Sequence, residues 1–332
     1  MDVLKYLNKK SSIVDEEIYK LIPEKINPQV LAEATRHLIK AGGKRLRPVL
    51  TLTSCEVVGG KPQDVIEAAA AVELLHTFTL IHDDIMDKDD FRRGVETVHR
   101  TWGEPLAIIS GDALFAEVFK ALVKNAKKAE LSANKTIKLF DVVSKASLKI
   151  CQGQAMDIEF EKRKQVTKKE YLEMVEKKTG ALIQTSTEIG GLLGKGSQEE
   201  VARLAEYGRL VGIAFQIQDD ILGAVGEEEK AGKPIGSDIK EGKWTFPAVS
   251  AYRNANSKEK EILLKALGKK QGEKIEPEKV IRIYRETGAI NIAEKKSDEL
   301  IEKAKAELNI FSETEAKEFL LKLADFSINR EF

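Results

Sequence analysis

Cysteine is nearly absent: Cys55 and Cys151 are the only two in 332 residues. Two separate thiols make neither a disulfide framework nor a CxxC metal or redox pair, so a reducing, cytoplasmic setting is expected. Proline occurs only 8 times and aromatic residues make up 6% of the chain, so little interrupts a helix. Neither sign of charge prevails: 54 Lys and Arg balance 54 Asp and Glu. A general basic attraction for nucleic acid is thereby excluded. No apolar run reaches the roughly 20 residues of a membrane span. The best, "VIEAAAAVELLH", already contains Glu67 and Glu73. The first residues, "MDVLKYLNKKSSIVDEE", lack the apolar centre of a secretory signal.

What is present is helix. Hydrophobic residues form 42% of the chain, and Lys, Glu, Ala and Leu abound. The apolar periodicity predicts helices near 2–21, 28–41, 45–58, 62–90, 104–128, 132–160, 168–193, 198–224, 245–254, 257–267, 277–287, 289–308 and 312–328. No segment alternates convincingly enough to be a strand. Gly, Pro and charge clusters break the pattern at "AGGK", "VVGGKPQ", "GLLGKGS" and "GEEEKAGKPIG". None is long enough to be a domain linker, so residues 1–332 are expected to form one domain, an all-α bundle of long helices.

The chemistry begins at "LIHDDIMDKDDFRRG". On a helix Asp83 and Asp87 share a face, about 6 Å apart along the axis. Carboxylates so placed suit a hard cation, and magnesium completes its shell with water and substrate phosphate rather than a closed protein cage. An isolated acidic helix end is more often simply solvated. Here, though, "LLHTFTLIHDD" brings the aspartates out of an apolar segment, where unpaired charge is costly. A second acidic pair, Asp219 and Asp220 in "AFQIQDDILGAVG", lies on another apolar helix with Gln216 one turn before Asp220. Carboxylates from separate helices are how bundles build metal sites. Cations accompany both clusters. "AGGKRLRP" supplies Lys44, Arg45 and Arg47 behind a glycine pair, where bases can clamp phosphate. Arg92 and Arg93 follow the first cluster, Lys178 and Thr179 lie in "EKKTGALI", and Lys233 and Lys243 bracket "GKPIGSDIKEGK". Together these residues suit a polyanion: two diphosphates, one bridged to carboxylates by Mg2+ and one held by Arg and Lys.

In these combined motifs the chain resembles the trans-isoprenyl diphosphate synthases. The resemblance is carried, over nearly the whole chain, by "GGKRLRP" (42–48), "HDDIMDKDDFRRG" (82–94), "TVH" (97–99), "KTG" (178–180), "FQIQDD" (215–220) and "GKPIGSDIKEGKWTFP" (232–247). It implies helices around a deep central cavity, usually in a homodimer. It implies about three Mg2+ ions acting as Lewis acids on an allylic diphosphate, which ionises to an allylic carbocation and pyrophosphate. The double bond of isopentenyl diphosphate attacks the cation, and the released pyrophosphate takes the proton. Carried over residue by residue, Asp83, Asp87 and Asp219 look like the magnesium ligands, with Asp84 in support. Arg92, Lys178, Gln216, Lys233 and Lys243 look like contacts to the allylic diphosphate, with Thr179 near the carbocation. Lys44, Arg47, His76 and Arg93 look like the isopentenyl diphosphate pocket. His82 and His99 read as structural. The chain departs from the family pattern at Gly223, where the second motif often ends in Asp.

Phe78 lies five residues, about 7.5 Å, before Asp83 on the same helix. In the resembling family a bulky residue there floors the chain tunnel. With the small Thr79 at the fourth position before the motif, the pattern looks like archaeal geranylgeranyl diphosphate synthases. The expected product is C20 from C5, C10 or C15 starters, with C15 released as well or, in the alternative, as the main product. A terpene cyclase would not need "GGKRLRP" and Arg93. A non-catalytic modulating subunit would be expected to lose one acidic motif, and a helical scaffold would not bind diphosphate with Mg2+.

Overall fold

The computed structural model describes residues 1–22, 24, 27–225, 236–267 and 276–329. Lys233 therefore lies outside the described residues. The helices are α1 (Val3–Leu21), α2 (Gln29–Lys40), α3 (Leu46–Val57), α4 (Ile66–Asp87), α5 (Val98–Trp102), α6 (Glu104–Lys128), α7 (Ala133–Phe160), α8 (Lys168–Val175), α9 (Ala181–Leu193), α10 (Gln198–Val225), α11 (Ser237–Lys240), α12 (Phe246–Asn254), α13 (Ser257–Ala266), α14 (Pro277–Glu286), α15 (Ala289–Glu307) and α16 (Glu315–Ile328). The all-α expectation is met, but two expected helices are divided and two short helices, α5 and α11, were not expected. The expected helix over 62–90 is a short 3-10 turn, Pro62–Asp64, followed by α4. The expected helix over 168–193 is divided by a π-helical turn, Glu176–Gly180.

Sheet structure is not wholly absent either. Phe91–Arg92 (β1) and Val95–Glu96 (β2) pair antiparallel, with Arg92 opposite Val95. Arg93 and Gly94 form the two-residue turn with φ of 55° and 78°. Positive φ at both central residues is the turn whose twist suits a tight hairpin.

By contacts the chain divides into two compact units. The first comprises Met1–Val143, Thr185–Leu204 and Phe311–Leu320. Its centre is the packing of α4 on α6. Ala68, Ala69, Ala70 and Ala71 are all buried, which lets the helices approach closely. Asn125 of α6 pins the register: its Oδ1 accepts from Ala68 N at 2.9 Å and its Nδ2 donates to the Asp64 carbonyl at 2.9 Å. Gly111 leaves room for His82, whose Nε2 would lie 2.3 Å from a β-carbon there. Tyr6 stacks on Phe319 with ring centroids 4.2 Å apart.

The second unit comprises Ser144–Gln184, Ala205–Ile310 and Leu321–Phe332. Thr167 and Glu170 form a capping box that starts α8. The π-helical turn sits where other backbones come close. A β-carbon at Gly153 would lie 2.3 Å from Lys178 N, and one at Gly212 would lie 2.7 Å from Gly180 Cα. Tyr171, Tyr207 and Tyr284 are fully buried here.

Candidate active site

The first unit gathers a cationic cluster and a carboxylate cluster. Asp83 and Asp87 are half-buried in the last turn of α4, and Lys88 ends that helix with φ 58°. Asp84 faces inward and is 1% exposed. Its Oδ1 accepts from Arg92 Nε at 2.7 Å and lies 2.6 Å from Arg92 Nη2, which also donates to Asp89 at 2.8 Å. The Asp84 Oδ2 is buried without a hydrogen-bond partner. Burial pushes the Asp84 carboxyl up to about 6, with the Arg92 guanidinium opposing that rise. The hairpin turn sends Arg92 to these carboxylates and turns Arg93 to the glycine loop. There Arg93 Nη1 donates to the Leu38 carbonyl at 3.1 Å and to the Gly42 carbonyl.

Arg47 Nη1 donates to His76 Nε2 at 3.0 Å. Burial, and then the guanidinium groups of Arg47, Arg93, Arg92 and Arg45, hold His76 well below its usual pKa. The imidazole is therefore neutral and accepts. Of these groups, Arg45 pairs with Asp15 and Glu73 and Arg92 with Asp84 and Asp89, so much of the positive charge near the half-buried ring is balanced within the unit. Lys44 is exposed.

Arg45 requires a correction. As a phosphate clamp it would face solvent, yet it is buried and internally committed. Its guanidinium pairs with Asp15 at 2.7 Å and Glu73 at 2.9 Å, and donates to the Ile39 carbonyl at 2.9 Å and the Gly42 carbonyl at 3.2 Å. Arg45 thus shapes the glycine loop from beneath. Glu73, which interrupts the apolar run, is its buried counter-ion. Of the two histidines read as structural, His82 Nε2 lies 3.2 Å from the Ile108 carbonyl and His99 Nδ1 lies 3.1 Å from Thr97 Oγ1. Phe78 heads a run of rings within this unit. Its centroid is 5.1 Å from Phe115, which is 5.1 Å from Phe119, which is 6.1 Å from Phe140.

The second unit contains a cavity of about 350 Å3 lined by Lys178, Thr179, Gln216, Asp219, Asp220 and Lys243, and also by Asp157, Tyr171, Asp238 and Trp244. Asp220 is its buried anchor. It accepts from the Tyr171 hydroxyl, from Gln216 Nε2 at 3.1 Å and from Phe246 N at 2.8 Å. Burial and then the charge of Asp238 push its carboxyl up to about 7. Thr179 Oγ1 donates to Gln216 Oε1 at 2.9 Å, so Gln216 bridges the π-helical turn to Asp220. Lys178 pairs with Asp157 at 2.5 Å and Lys243 with Glu241 at 2.5 Å. The sequence reading missed Asp157, Tyr171 and Asp238. Signals were available for Asp157, an acidic residue between the apolar Met156 and Ile158 of "GQAMDIEF", and for Asp238, which lies inside the quoted "GKPIGSDIKEGKWTFP", but none for Tyr171.

An enzyme that handles diphosphates through carboxylates and guanidinium groups on an all-α scaffold is the class these features define. The sequence profile of the polyprenyl synthetase family matches residues 28–284. A short chain isoprenyl diphosphate synthase of Methanothermobacter thermautotrophicus is 46% identical over 331 residues, covering 100% of this chain and 99% of that protein. A geranylgeranyl diphosphate synthase of Methanosarcina mazei is 43% identical over 332 residues, covering 100% and 99%. Among solved structures, geranylgeranyl pyrophosphate synthetase from Pyrococcus horikoshii superposes with a TM-score of 0.93 at 44% identity, covering 99% of this chain and 98% of that one. The chain belongs to the polyprenyl synthetase family, and it is a prenyl-chain-elongating transferase.

Enzymes of this family depend on magnesium, and the residues here suit that ion. The donors are hard carboxylate oxygens, and the buried Asp84 Oδ2 has no hydrogen-bond partner among the described residues. Among the described residues no group of three or more His, Cys, Asp and Glu could enclose a metal. Among the described residues no helix is long and apolar enough to cross a membrane.

Proposed function

We propose that this enzyme condenses isopentenyl diphosphate with C5, C10 and C15 allylic diphosphates and releases mainly geranylgeranyl diphosphate, C20. The observation that carries this reading is the Phe78 ring. It abuts Phe115, while Thr79 beside it turns its hydroxyl back to the His76 carbonyl at 2.8 Å and adds no bulk. A single aromatic floor at that depth supports C20; a second bulky side chain at Thr79 would favour C15.

Asp83, Asp87 and Asp219 are proposed as the direct magnesium ligands, about three ions in all with diphosphate bound. When bound, magnesium offsets the charge that develops on the departing diphosphate. Asp84 positions Arg92 by its two short contacts. Arg92, Lys178, Gln216 and Lys243 bind the allylic diphosphate, as would Lys233, and Thr179 faces the reacting carbon. Lys44, Arg47, His76 and Arg93 hold isopentenyl diphosphate. His76, neutral and accepting from Arg47, aims that guanidinium without adding charge of its own. The chain works as one catalytic domain; the family match across residues 28–284 draws on both units and supports this. A cytoplasmic homodimer completes the reading. Ile108, Ile109 and Val123 on α6 and Ile137 on α7 are exposed, and apolar surface of this kind supports a partner subunit.

The test is product sizing. Purified enzyme with Mg2+ and labelled isopentenyl diphosphate receives each allylic starter separately, and dephosphorylated products are separated by length. A C20 band from all three starters is expected. A dominant C15 band would keep the chemistry and remove the floor argument.

A further inference from the structure

Beside the cavity of the second unit, Thr179, Gln216 and Asp220 form a single file of hydrogen bonds. Gly212, Gln216 and Asp220 are four apart on α10 and share one face. Gly212 lets the π-helical turn approach that face. A β-carbon there would lie 2.7 Å from Gly180 Cα, a backbone atom that cannot swing aside. Thr179, the residue before Gly180, thereby comes within reach of Gln216.

The chemistry of the groups fixes the direction of each bond. Asp220 is 5% exposed. Its Oδ2 accepts from the Tyr171 hydroxyl and from Phe246 N–H, and its Oδ1 accepts from Gln216. Three donors on one carboxyl group is the arrangement of a carboxylate, which accepts and never donates. The Gln216 amide therefore turns its NH2 to Asp220, at 3.1 Å, and its Oε1 to Thr179, at 2.9 Å. An amide oxygen only accepts, so the single hydroxyl hydrogen of Thr179 goes to Gln216. For the cavity that Thr179 lines, its hydroxyl keeps only lone pairs.

We propose that Asp220 is a positioning residue: through the Gln216 amide it orients the Thr179 hydroxyl so that the oxygen, and not the hydrogen, meets the electron-poor carbon of the allylic substrate. This rests on the proposed placement of Thr179 at the reacting carbon. A dipole fixed beforehand stabilises developing charge without reorganising during the reaction, whereas a hydroxyl free to rotate would spend part of its time with its hydrogen toward that carbon. The same file restricts Gln216. With Oε1 and one Nε2 hydrogen committed, one N–H remains for the diphosphate.

The experiment is the single-turnover rate of C15 allylic diphosphate consumption with isopentenyl diphosphate at saturating Mg2+, on the full-length protein. Steady-state KM for both substrates and a thermal midpoint are recorded for every variant. Asp220→Asn keeps the shape, but Phe246 N–H claims the new amide's oxygen, so its NH2 faces Gln216. The Gln216 amide must then turn over, and the Thr179 hydroxyl must accept from it and point its hydrogen into the cavity. The rate should fall about a hundredfold, as when one preorganised group is lost from a developing charge, with KM for the allylic diphosphate little changed. Thr179→Val removes the hydroxyl at similar size and should also be slow. Because Asp220 acts through Thr179, Asp220→Asn/Thr179→Val should be no slower than Thr179→Val. Gln216→Leu breaks the file at its middle and takes the place of Asp220→Asn in the same cycle if that variant fails to fold. A wild-type rate in folded Asp220→Asn would overturn the proposal, as would a loss confined to KM or losses that multiply in the double variant. A wild-type rate in Thr179→Val would overturn the placement of Thr179 itself, and the proposal with it.

Discussion

Replacing Phe78 by alanine should lengthen the product by one isoprene unit, and the structure sets that step. The next ring below Phe78 is Phe115, with centroids 5.1 Å apart. One isoprene repeat, a few carbon–carbon bonds, is comparable to that spacing. Removing the first ring therefore opens room for one further condensation before Phe115 becomes the floor. A shift of the main product from C20 to C25 is expected, with the C20 band reduced. Phe78→Ala/Phe115→Ala should add another step, because Phe119 lies a further 5.1 Å beyond Phe115. Burial does not forbid the experiment. Truncating a fully buried Phe costs about 3–5 kcal/mol, and the half-buried Phe78 should fall below that range. The assay is chromatographic sizing of dephosphorylated products, with a thermal melt to show that each variant is folded. An unchanged product ladder in folded Phe78→Ala would refute the floor, and a jump of several units would refute Phe115 as the next one.

Three further outcomes follow from the packing. Arg45→Met strips the buried Glu73 of its closest counter-ion and should cost about 3 kcal/mol, the low end for a broken buried pair because Arg93 remains 3.6 Å from Glu73. Arg45→Met/Glu73→Leu should melt higher than the single variant; a single variant melting like wild type would count against the pair. Glu170 is held at about 2, below its ordinary 4.5, by Thr167 and Arg163. Its contribution to stability is therefore complete above pH 4.5 and is lost as the pH falls toward 2. Glu170→Gln should flatten that part of the acid unfolding curve, and identical slopes in the two proteins would contradict the capping role. Burial pushes the Cys55 thiol up to about 12 while Cys151 is exposed. At neutral pH an alkylating reagent should label Cys151 alone in the folded protein, and rapid labelling of Cys55 would show that α3 opens.

Much of this could be read from the chain because helical periodicity and acidic spacing are local properties. The bounds of α6 fall where the apolar pattern and Pro105 put them, and both acidic pairs lie on apolar helices as expected. The failures have physical causes. Two-residue strands are shorter than any window in which alternation can be counted, so the Arg93–Gly94 hairpin was invisible, although it decides where Arg92 and Arg93 point. The π-helical turn keeps apolar periodicity on both sides and left no trace in "EKKTGALI". Arg45 resembled its neighbours Lys44 and Arg47 in type, and only the fold could reveal Glu73 and Asp15 beneath it. Asp238 approaches Gly223 from a four-residue helix, a proximity that no spacing rule anticipates.

The central claim is that two carboxylate clusters bring magnesium to the allylic diphosphate. Its most direct test is the Mg2+ dependence of pyrophosphate release from C15 allylic diphosphate and isopentenyl diphosphate, in wild type and in folded Asp83→Ala and Asp219→Ala. The account predicts release that requires Mg2+, stops with EDTA and is lost in both variants at every Mg2+ concentration. Release that persists in either variant at wild-type rate, or that continues without divalent metal, would contradict it.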